Sequence, residues 1–281
     1  MRRLRLGEVE IIHLCASRFR LDGGAMFGVV PRPLWEKQLP PDERHRVGLA
    51  CNCLLLRRAG DLTLVDTGCG DRFTAKEQEI FAFDQALSLE KALAQAGFSR
   101  DQVTRVILTH LHFDHASGAL RLEQGLLQPA FPRAEYLVQR GEWEDALQGR
   151  SIMKSSYRPE DLRPLERSGQ LRLLEGDTQL DAQLSTFVTG GHTACHQGVL
   201  VRAGGRTLAY PGELVPTRAH LRLHWNMAYD MFPYQTLTRK REFLEQAGAQ
   251  GWIAAWNHDP ASPWNRLVRQ GESWAAAEVE D

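Results

Sequence analysis

The sequence has no excess of positive charge and no long apolar run. Lysine and arginine number 34 against 35 aspartates and glutamates in 281 residues, which gives a formal net charge of -1. A protein that binds nucleic acid by neutralising phosphates normally carries a basic surplus, so that class of function is disfavoured. No apolar stretch approaches the roughly 18 residues of a membrane-spanning helix. We therefore expect neither a nucleic-acid partner nor a membrane partner.

Cysteines are few and follow no recognisable spacing. There are five, an odd number, and no two are separated as Cys-x-x-Cys. This pattern predicts neither a disulfide framework nor a four-cysteine zinc site, and reduced thiols are typical of the cytosol. Near the start of the chain, Glu8 and Glu10 interrupt the apolar segment that a secretion signal would need. The sequence therefore predicts a cytoplasmic protein.

No linker or low-complexity tract divides the chain. We predict a single domain over 1–281, with an N-terminal loop extension over about 17–48. Apolar runs of strand length are separated by segments with helical periodicity, and the last such segment predicts a final helix over 267–277. Strands grouped before and after helices favour a layered α/β fold.

Three of the ten histidines fall within six residues, in the segment Thr109-His110-Leu111-His112-Phe113-Asp114-His115. In an extended segment, side chains two residues apart project to the same side, so His110 and His112 can hold one metal ion. Asp114 and His115 follow where the chain turns, within reach of a second ion. Imidazole and carboxylate ligands suit zinc, manganese, iron or cobalt.

The motif His110-x-His112-x-Asp114-His115 resembles the signature of the metallo-β-lactamase-fold hydrolases. Further segments occur in the order of that family: Leu64-Val65-Asp66-Thr67-Gly68, Gly190-Gly191-His192-Thr193, Tyr210-Pro211-Gly212-Glu213 and Asn257-His258-Asp259. The resemblance spans residues 9–260, and the segment 19–28 is similar to the lactonase and methyl-parathion-hydrolase-like branch. It implies an αββα sandwich of two mixed β-sheets flanked by helices.

The resemblance also implies two divalent metal ions, with zinc favoured and manganese, cobalt or iron as alternatives. The implied ligands of the first ion are His110, His112 and His192, and those of the second are Asp114, His115 and His258. Asp66 is expected to hydrogen-bond to a ligand and fix its tautomer. His196 lies four residues after His192, a spacing that could place both on one helix face, and we expect it to support the site rather than bind an ion.

Glu213 departs from the family pattern, which has an aspartate bridging both ions at this position. The extra methylene moves the carboxylate by about 1.5 Å, which matters between ions that lie about 3.5–4 Å apart. The sequence leaves open whether Glu213 bridges the ions, binds one of them or turns away. Occupancy of the second site is therefore also open.

Such a site implies hydrolysis by a metal-bound hydroxide, because divalent ions lower the pKa of bound water toward about 7. Asp114 is expected to act in catalysis as well, by passing a proton to the leaving group. The resemblance favours a lactone or carboxylic ester as substrate. The alternatives are hydrolysis of a phosphotriester or thioester, an iron-dependent oxidoreductase, and a metal-binding relative without activity.

The substrate pocket is expected to be apolar and to take a small apolar ester or lactone. Its candidate lining residues are Met26, Phe27, Tyr157 and His220. The oligomeric state is left open, with a homodimer formed through the N-terminal segment as one option.

Overall fold

The computed structural model describes residues 1–279, which contain sixteen strands and eight α-helices. The strands are β1 (Arg3–Leu6), β2 (Val9–Asp22), β3 (Arg46–Arg58), β4 (Asp61–Val65), β5 (Arg105–Ile107), β6 (Leu120–Glu123), β7 (Leu126–Pro129), β8 (Glu135–Gln139), β9 (Leu171–Leu174), β10 (Thr178–Gln179), β11 (Leu184–Val188), β12 (Gln197–Ala203), β13 (Arg206–Tyr210), β14 (Ile253–Ala255), β15 (Trp264–Gln270) and β16 (Ser273–Ala277). The helices are α1 (Gly23–Phe27), α2 (Arg32–Trp35), α3 (Ala75–Phe81), α4 (Leu89–Ala96), α5 (Phe113–Ala116), α6 (Arg140–Gln148), α7 (Pro159–Arg167) and α8 (Pro233–Ala249).

Two seven-stranded mixed sheets form the centre of the molecule. The first has the order β1-β2-β3-β4-β5-β8-β9, and the second runs from β10 to β16 in sequence order. Strands β4, β5, β8 and β9 pair in parallel, as do β13 and β14, whereas the other neighbours in both sheets are antiparallel. A separate hairpin consists of β6 and β7.

The apolar core has three layers. In β3, Cys53 and Leu55 belong to the cluster under α4, α6 and α7, while Leu54 and Leu56 belong to the cluster between the sheets. This alternation follows from the two-residue period of a strand, which is buried on both faces here. The third cluster joins the second sheet to α8, for example through Phe243. The order of layers is therefore helix, sheet, sheet, helix, and the predicted αββα sandwich is confirmed.

The predicted final helix over 267–277 is wrong, because that segment belongs to a hairpin of β15 and β16. Gly271 occupies the two-residue turn with φ 61°, a left-handed conformation that glycine adopts without strain. Trp264 packs between the sheets and Leu267 packs under α8, on opposite faces of β15. When both faces of a strand carry apolar residues, their spacing over a short segment can match the period of a helix, which explains the wrong prediction.

The N-terminal extension is shorter than the predicted 17–48. Strand β2 continues to Asp22 and β3 begins at Arg46, so the insertion between them covers 23–45. The Asp22 side chain accepts a hydrogen bond of 2.7 Å from the Ala25 amide and so begins α1. This insertion contains α1 and α2.

Parallel pairing places the ends of several strands at one edge of the sandwich. The carboxyl ends of β4 and β5 lie side by side in the first sheet, as do those of β13 and β14 in the second. Loops that follow parallel strands are the usual place for a ligand site in such folds. Among residues 1–279, no helix has both the length and the apolar character needed to cross a bilayer.

Candidate metal centre

His110 and His112 lie on the loop between β5 and α5. Both are buried, with exposed fractions of 0% and 4%. His112 immediately precedes α5, and that one-turn helix carries Asp114 and His115. The segment from 110 to 115 is thus extended at its start and helical at its end, so it presents donors in two directions.

The first group of donors consists of His110, His112 and His192, whose ligand atoms lie within 4.8 Å of one another. His192 Nε2 and His112 Nδ1 are 3.1 Å apart. The Nε2 atom of His110 is buried and has no hydrogen-bond partner in the described chain. Leaving such an atom unpaired is costly unless a ligand meets it. This group fits a divalent ion by its geometry and by the chemistry of its donors.

The second group consists of Asp114, His115 and His258, again within 4.8 Å of one another. His258 Nε2 lies 3.3 Å from Asp114 Oδ2, and His115 Nε2 lies 3.7 Å from the same oxygen. His258 follows β14, so this group joins residues from both sheets. Two imidazoles and a carboxylate are also a suitable donor set for a divalent ion.

Three of the rings that would bind metal, His115, His192 and His258, are held through Nδ1. His115 Nδ1 donates to Asp66 Oδ2 over 2.8 Å, and His258 Nδ1 donates to the Ala50 carbonyl over 2.8 Å. His192 Nδ1 lies 3.2 Å from Asp230 Oδ1. These contacts place the proton on Nδ1 and leave Nε2 facing the centre. The sequence does not reveal Asp230, because a single aspartate 38 residues from its partner has no local motif.

Asp66 lies at the end of β4 with φ 56°, a left-handed conformation that is uncommon outside glycine. Its carboxylate also accepts hydrogen bonds from the Thr109 amide over 2.8 Å and from the Tyr210 hydroxyl over 3.2 Å. Asp66 therefore connects the loop of the first histidines to the second sheet. The hydrogen bond from His115 is the kind of contact that the sequence predicts for Asp66.

Glu213 is directed at the second group. Its Oε1 atom lies 2.6 Å from His258 Nε2 and 3.3 Å from His115 Nε2, and the same oxygen accepts a hydrogen bond from the side-chain Nδ2 of Asn257. The Glu213 backbone N–H donates to His196 Nε2 over 3.1 Å. His196 therefore supports Glu213, but it does so from an irregular loop and not from the helix face suggested by its spacing from His192.

The two groups differ in their electrostatics. Burial, together with the neighbouring rings, lowers the pKa of His110 and His112 well below the usual value, which favours neutral imidazoles. Burial alone would raise the pKa of Asp114, but His115 and His258 hold it at about 2. Those two rings have a pKa well above the usual value despite burial, because carboxylates surround them. The second group is therefore suited to exchange protons for a cation.

A cavity of about 270 Å³ opens above both groups. Donors from each group form its polar side, together with Glu213. The remaining lining residues are mainly apolar: Leu21, Met26, Phe81, Phe113, Met153, Met227 and Tyr229, with Ser155 and Ser156. Of the predicted pocket residues only Met26 lines this cavity.

Phe27, Tyr157 and His220, the other residues predicted for the pocket, do not line this cavity. Phe27 is stacked between Trp35 and His220, with ring centroids 5.3 and 4.9 Å away. The Tyr157 hydroxyl donates to Glu142 over 3.1 Å. His220 Nε2 donates to the Met26 carbonyl over 2.9 Å, so this ring supports the cavity wall from behind.

Because of His220, we expect the free energy of unfolding of the protein to fall in acid. Burial lowers its pKa from 6.5 to about 4. Between these two values the unfolded chain holds a proton that the folded chain lacks, so the free energy of unfolding falls as the pH falls, by about 3 kcal/mol in all. Unfolding by urea at pH 7 and pH 4 should show this loss in the wild-type protein relative to His220→Gln.

The glutamine of that variant can donate to Met26 and accept from Thr217, as the neutral ring does. If the difference in free energy of unfolding between the wild-type protein and the variant stays constant from pH 7 to pH 4, the prediction is contradicted. Comparison within the pair removes the contribution of His13, whose pKa burial also lowers to about 4.

Known proteins resemble the chain over most of its length. The Metallo-beta-lactamase superfamily matches residues 46–258. An N-acyl homoserine lactonase of Bacillus thuringiensis is 28% identical over 159 residues, which cover 53% of this chain and 57% of that protein. The chain thus spans little more than half the length of the curated relatives that it matches.

Solved structures extend the likeness to the whole fold. A probable metal-dependent hydrolase from Staphylococcus aureus has a TM-score of 0.90 at 28% identity, over 99% of both chains. A dizinc quorum-quenching lactonase in complex with its product has a TM-score of 0.79 at 21% identity, over 100% of this chain and 97% of the other. At that level of sequence identity, the similarity to the lactonase structure indicates a shared fold and nothing further.

Three observations agree on the family. The matched range contains every donor of both groups together with Glu213. The layers of the fold are those that the motifs imply, and the donors meet at one edge of the sandwich. The chain belongs to the metallo-beta-lactamase superfamily.

Proposed function

We propose that the protein hydrolyses a lactone or carboxylic ester with divalent ions, zinc favoured, held by the two donor groups. The observation that carries this proposal is the cavity, in which both groups and Glu213 share one wall and apolar side chains form the rest. A substrate with an apolar acyl part and a carbonyl group would satisfy both surfaces. The B. thuringiensis lactonase, as a relative, supports the choice of a lactone.

The residues of the chain would bind the ions and transfer protons. His110, His112 and His192 would hold one ion, while Asp114, His115 and His258 would hold the other, with Glu213 on that same side. Bound ions would acidify a water molecule and polarise the substrate carbonyl. Asp114 lines the cavity, so its carboxylate is placed to pass a proton toward the leaving oxygen.

The apolar wall favours an acyl chain over a sugar or nucleotide. Three of the five methionines in the sequence, Met26, Met153 and Met227, line the cavity. Methionine is unbranched and flexible, so it can repack around chains of different length. Phe81 and Phe113 add two aromatic rings, whose centroids are 4.9 Å apart. We expect a broad tolerance for apolar acyl groups.

The test is a hydrolysis screen with defined metal loading. Protein stripped by a chelator and reloaded with zinc, cobalt, manganese or iron would be assayed on lactones, aryl esters, thioesters and phosphotriesters. We expect the largest kcat/KM on a lactone or carboxylic ester with an apolar acyl group, and none in the stripped protein. Metal content of protein purified without added metal identifies the native ion.

The stripped protein is the matched control, because only the ion differs. Turnover confined to phosphotriesters or thioesters would overturn the substrate class. Iron with oxygen consumption and no hydrolysis would indicate an oxidoreductase, and bound metal without any turnover would indicate a relative that has lost its activity.

A further inference from the structure

Glu142 is a buried carboxylate outside both donor groups. It lies on α6 with an exposed fraction of 1%. From its place in the fold we propose that Glu142 is a positioning residue, which fixes the loops of the first donor group relative to each other. This inference rests on the metal centre of the proposed function.

Three donors converge on this carboxylate. The Leu111 amide donates to Oε1 over 3.0 Å, and the Tyr157 hydroxyl donates to the same oxygen over 3.1 Å. The Thr193 hydroxyl donates to Oε2 over 2.5 Å. All of these residues are buried. Both oxygens of the carboxylate therefore accept hydrogen bonds from neighbouring residues, and Glu142 does not line the cavity.

The donors are adjacent in sequence to the first donor group. Leu111 stands between His110 and His112, and Thr193 directly follows His192. The loop of Leu111 follows β5 in the first sheet, whereas the loop of Thr193 follows β11 in the second. Glu142 thus connects two loops that belong to different sheets.

Tyr157, the third donor, also contacts a histidine ring of the first donor group. The Tyr157 ring contacts the His112 ring, with centroids 4.6 Å apart. His112 Nδ1 lies only 3.1 Å from His192 Nε2, so a small shift of either loop would change the donor spacing. Because Glu142 holds both loops and the ring beside His112, its loss should disturb the first group and leave the second group intact.

The test compares Glu142→Ala with Glu142→Gln. Alanine leaves three buried donors without an acceptor. Glutamine keeps one carbonyl oxygen as an acceptor, and its NH2 group can donate to the Thr193 hydroxyl oxygen. We expect alanine to weaken the binding of one of the two ions by about 10–100-fold. Glutamine should restore affinity to within a few-fold of the wild-type protein. The measurement is competitive zinc titration.

A spectroscopic readout separates positioning from folding. The visible absorption of cobalt-loaded protein reports ligand geometry, and we expect it to change in Glu142→Ala and to recover in Glu142→Gln. Asp161→Asn is the control, because Asp161 is a buried carboxylate paired with Arg72 over 2.7 Å and belongs to neither group. That variant should leave the zinc affinity and the cobalt spectrum unchanged.

Zinc affinity and a cobalt spectrum that stay unchanged in Glu142→Ala, even with a lower melting temperature, would overturn the inference while the proposed function stands. A wild-type protein that binds no ion would overturn both. If Glu142→Ala does not fold, Thr193→Val and Tyr157→Phe each remove one donor to the carboxylate. Unchanged zinc affinity in both of these variants would also overturn the inference.

Discussion

His112→Ala is expected to remove nearly all hydrolysis and to lower the metal content of the protein. The substitution leaves two imidazoles in the first group, and His192 loses the ring nitrogen that lies 3.1 Å away. We expect kcat/KM for the best substrate of the screen to fall about a thousandfold, which corresponds to about 4 kcal/mol of transition-state stabilisation. Steady-state kinetics and metal analysis on the same preparation measure both effects.

The control is His224→Ala, which removes an exposed histidine outside both groups. This variant should retain its activity and its metal. Full turnover in His112→Ala would exclude the loop after β5 from the reaction. Loss of activity with full metal content would instead place His112 in a role other than ion binding.

Glu213→Ala is expected to have the second largest effect, a loss of affinity for metal. The alanine variant removes the carboxylate that lies 2.6 Å from His258 Nε2 and 3.3 Å from His115 Nε2. We expect the affinity for one ion to fall about a hundredfold, at the upper end of what the loss of a supporting residue costs. Titration with zinc, followed by the stoichiometry at saturation, measures this loss.

Glu213→Asp is the informative partner of that variant. It restores the residue type that the family pattern has at this position, and it keeps the charge that both rings require. We expect it to retain at least the metal content and activity of the wild-type protein. A large loss in the aspartate variant would mean that the centre depends on the longer side chain, which Asn257 also holds.

The sequence predicts the layers of the fold and the side chains that meet at its centre. The sequence reveals these side chains because His110, His112, Asp114 and His115 form a dense local motif, and because the later segments follow in the order of one family. The structure places these residues in two groups with the same membership as the prediction. Their roles as ligands are a proposal that the metal titrations test.

Other features could not be predicted because they depend on contacts between distant segments. Glu142 and Asp230 are single acids; Glu142 binds Thr193 51 residues away and Asp230 lies 38 residues from His192, so no spacing reveals them. The residues from 267 to 277 show apolar positions compatible with a helix, and only the turn at Gly271 indicates a hairpin. Aromatic residues such as Phe27 are equally suited to a pocket or to its supporting core.

The donor groups are assembled from both halves of the chain. The first needs His192 beside β11 of the second sheet, and the second needs His258, which follows β14. A polypeptide still emerging from the ribosome offers the motif at 110–115 long before it offers these partners. If the groups hold ions as proposed, the first could be completed only after His192 is synthesised and the second only after His258. A product that ends before His258 would keep the three histidines of the first group and lack one donor of the second.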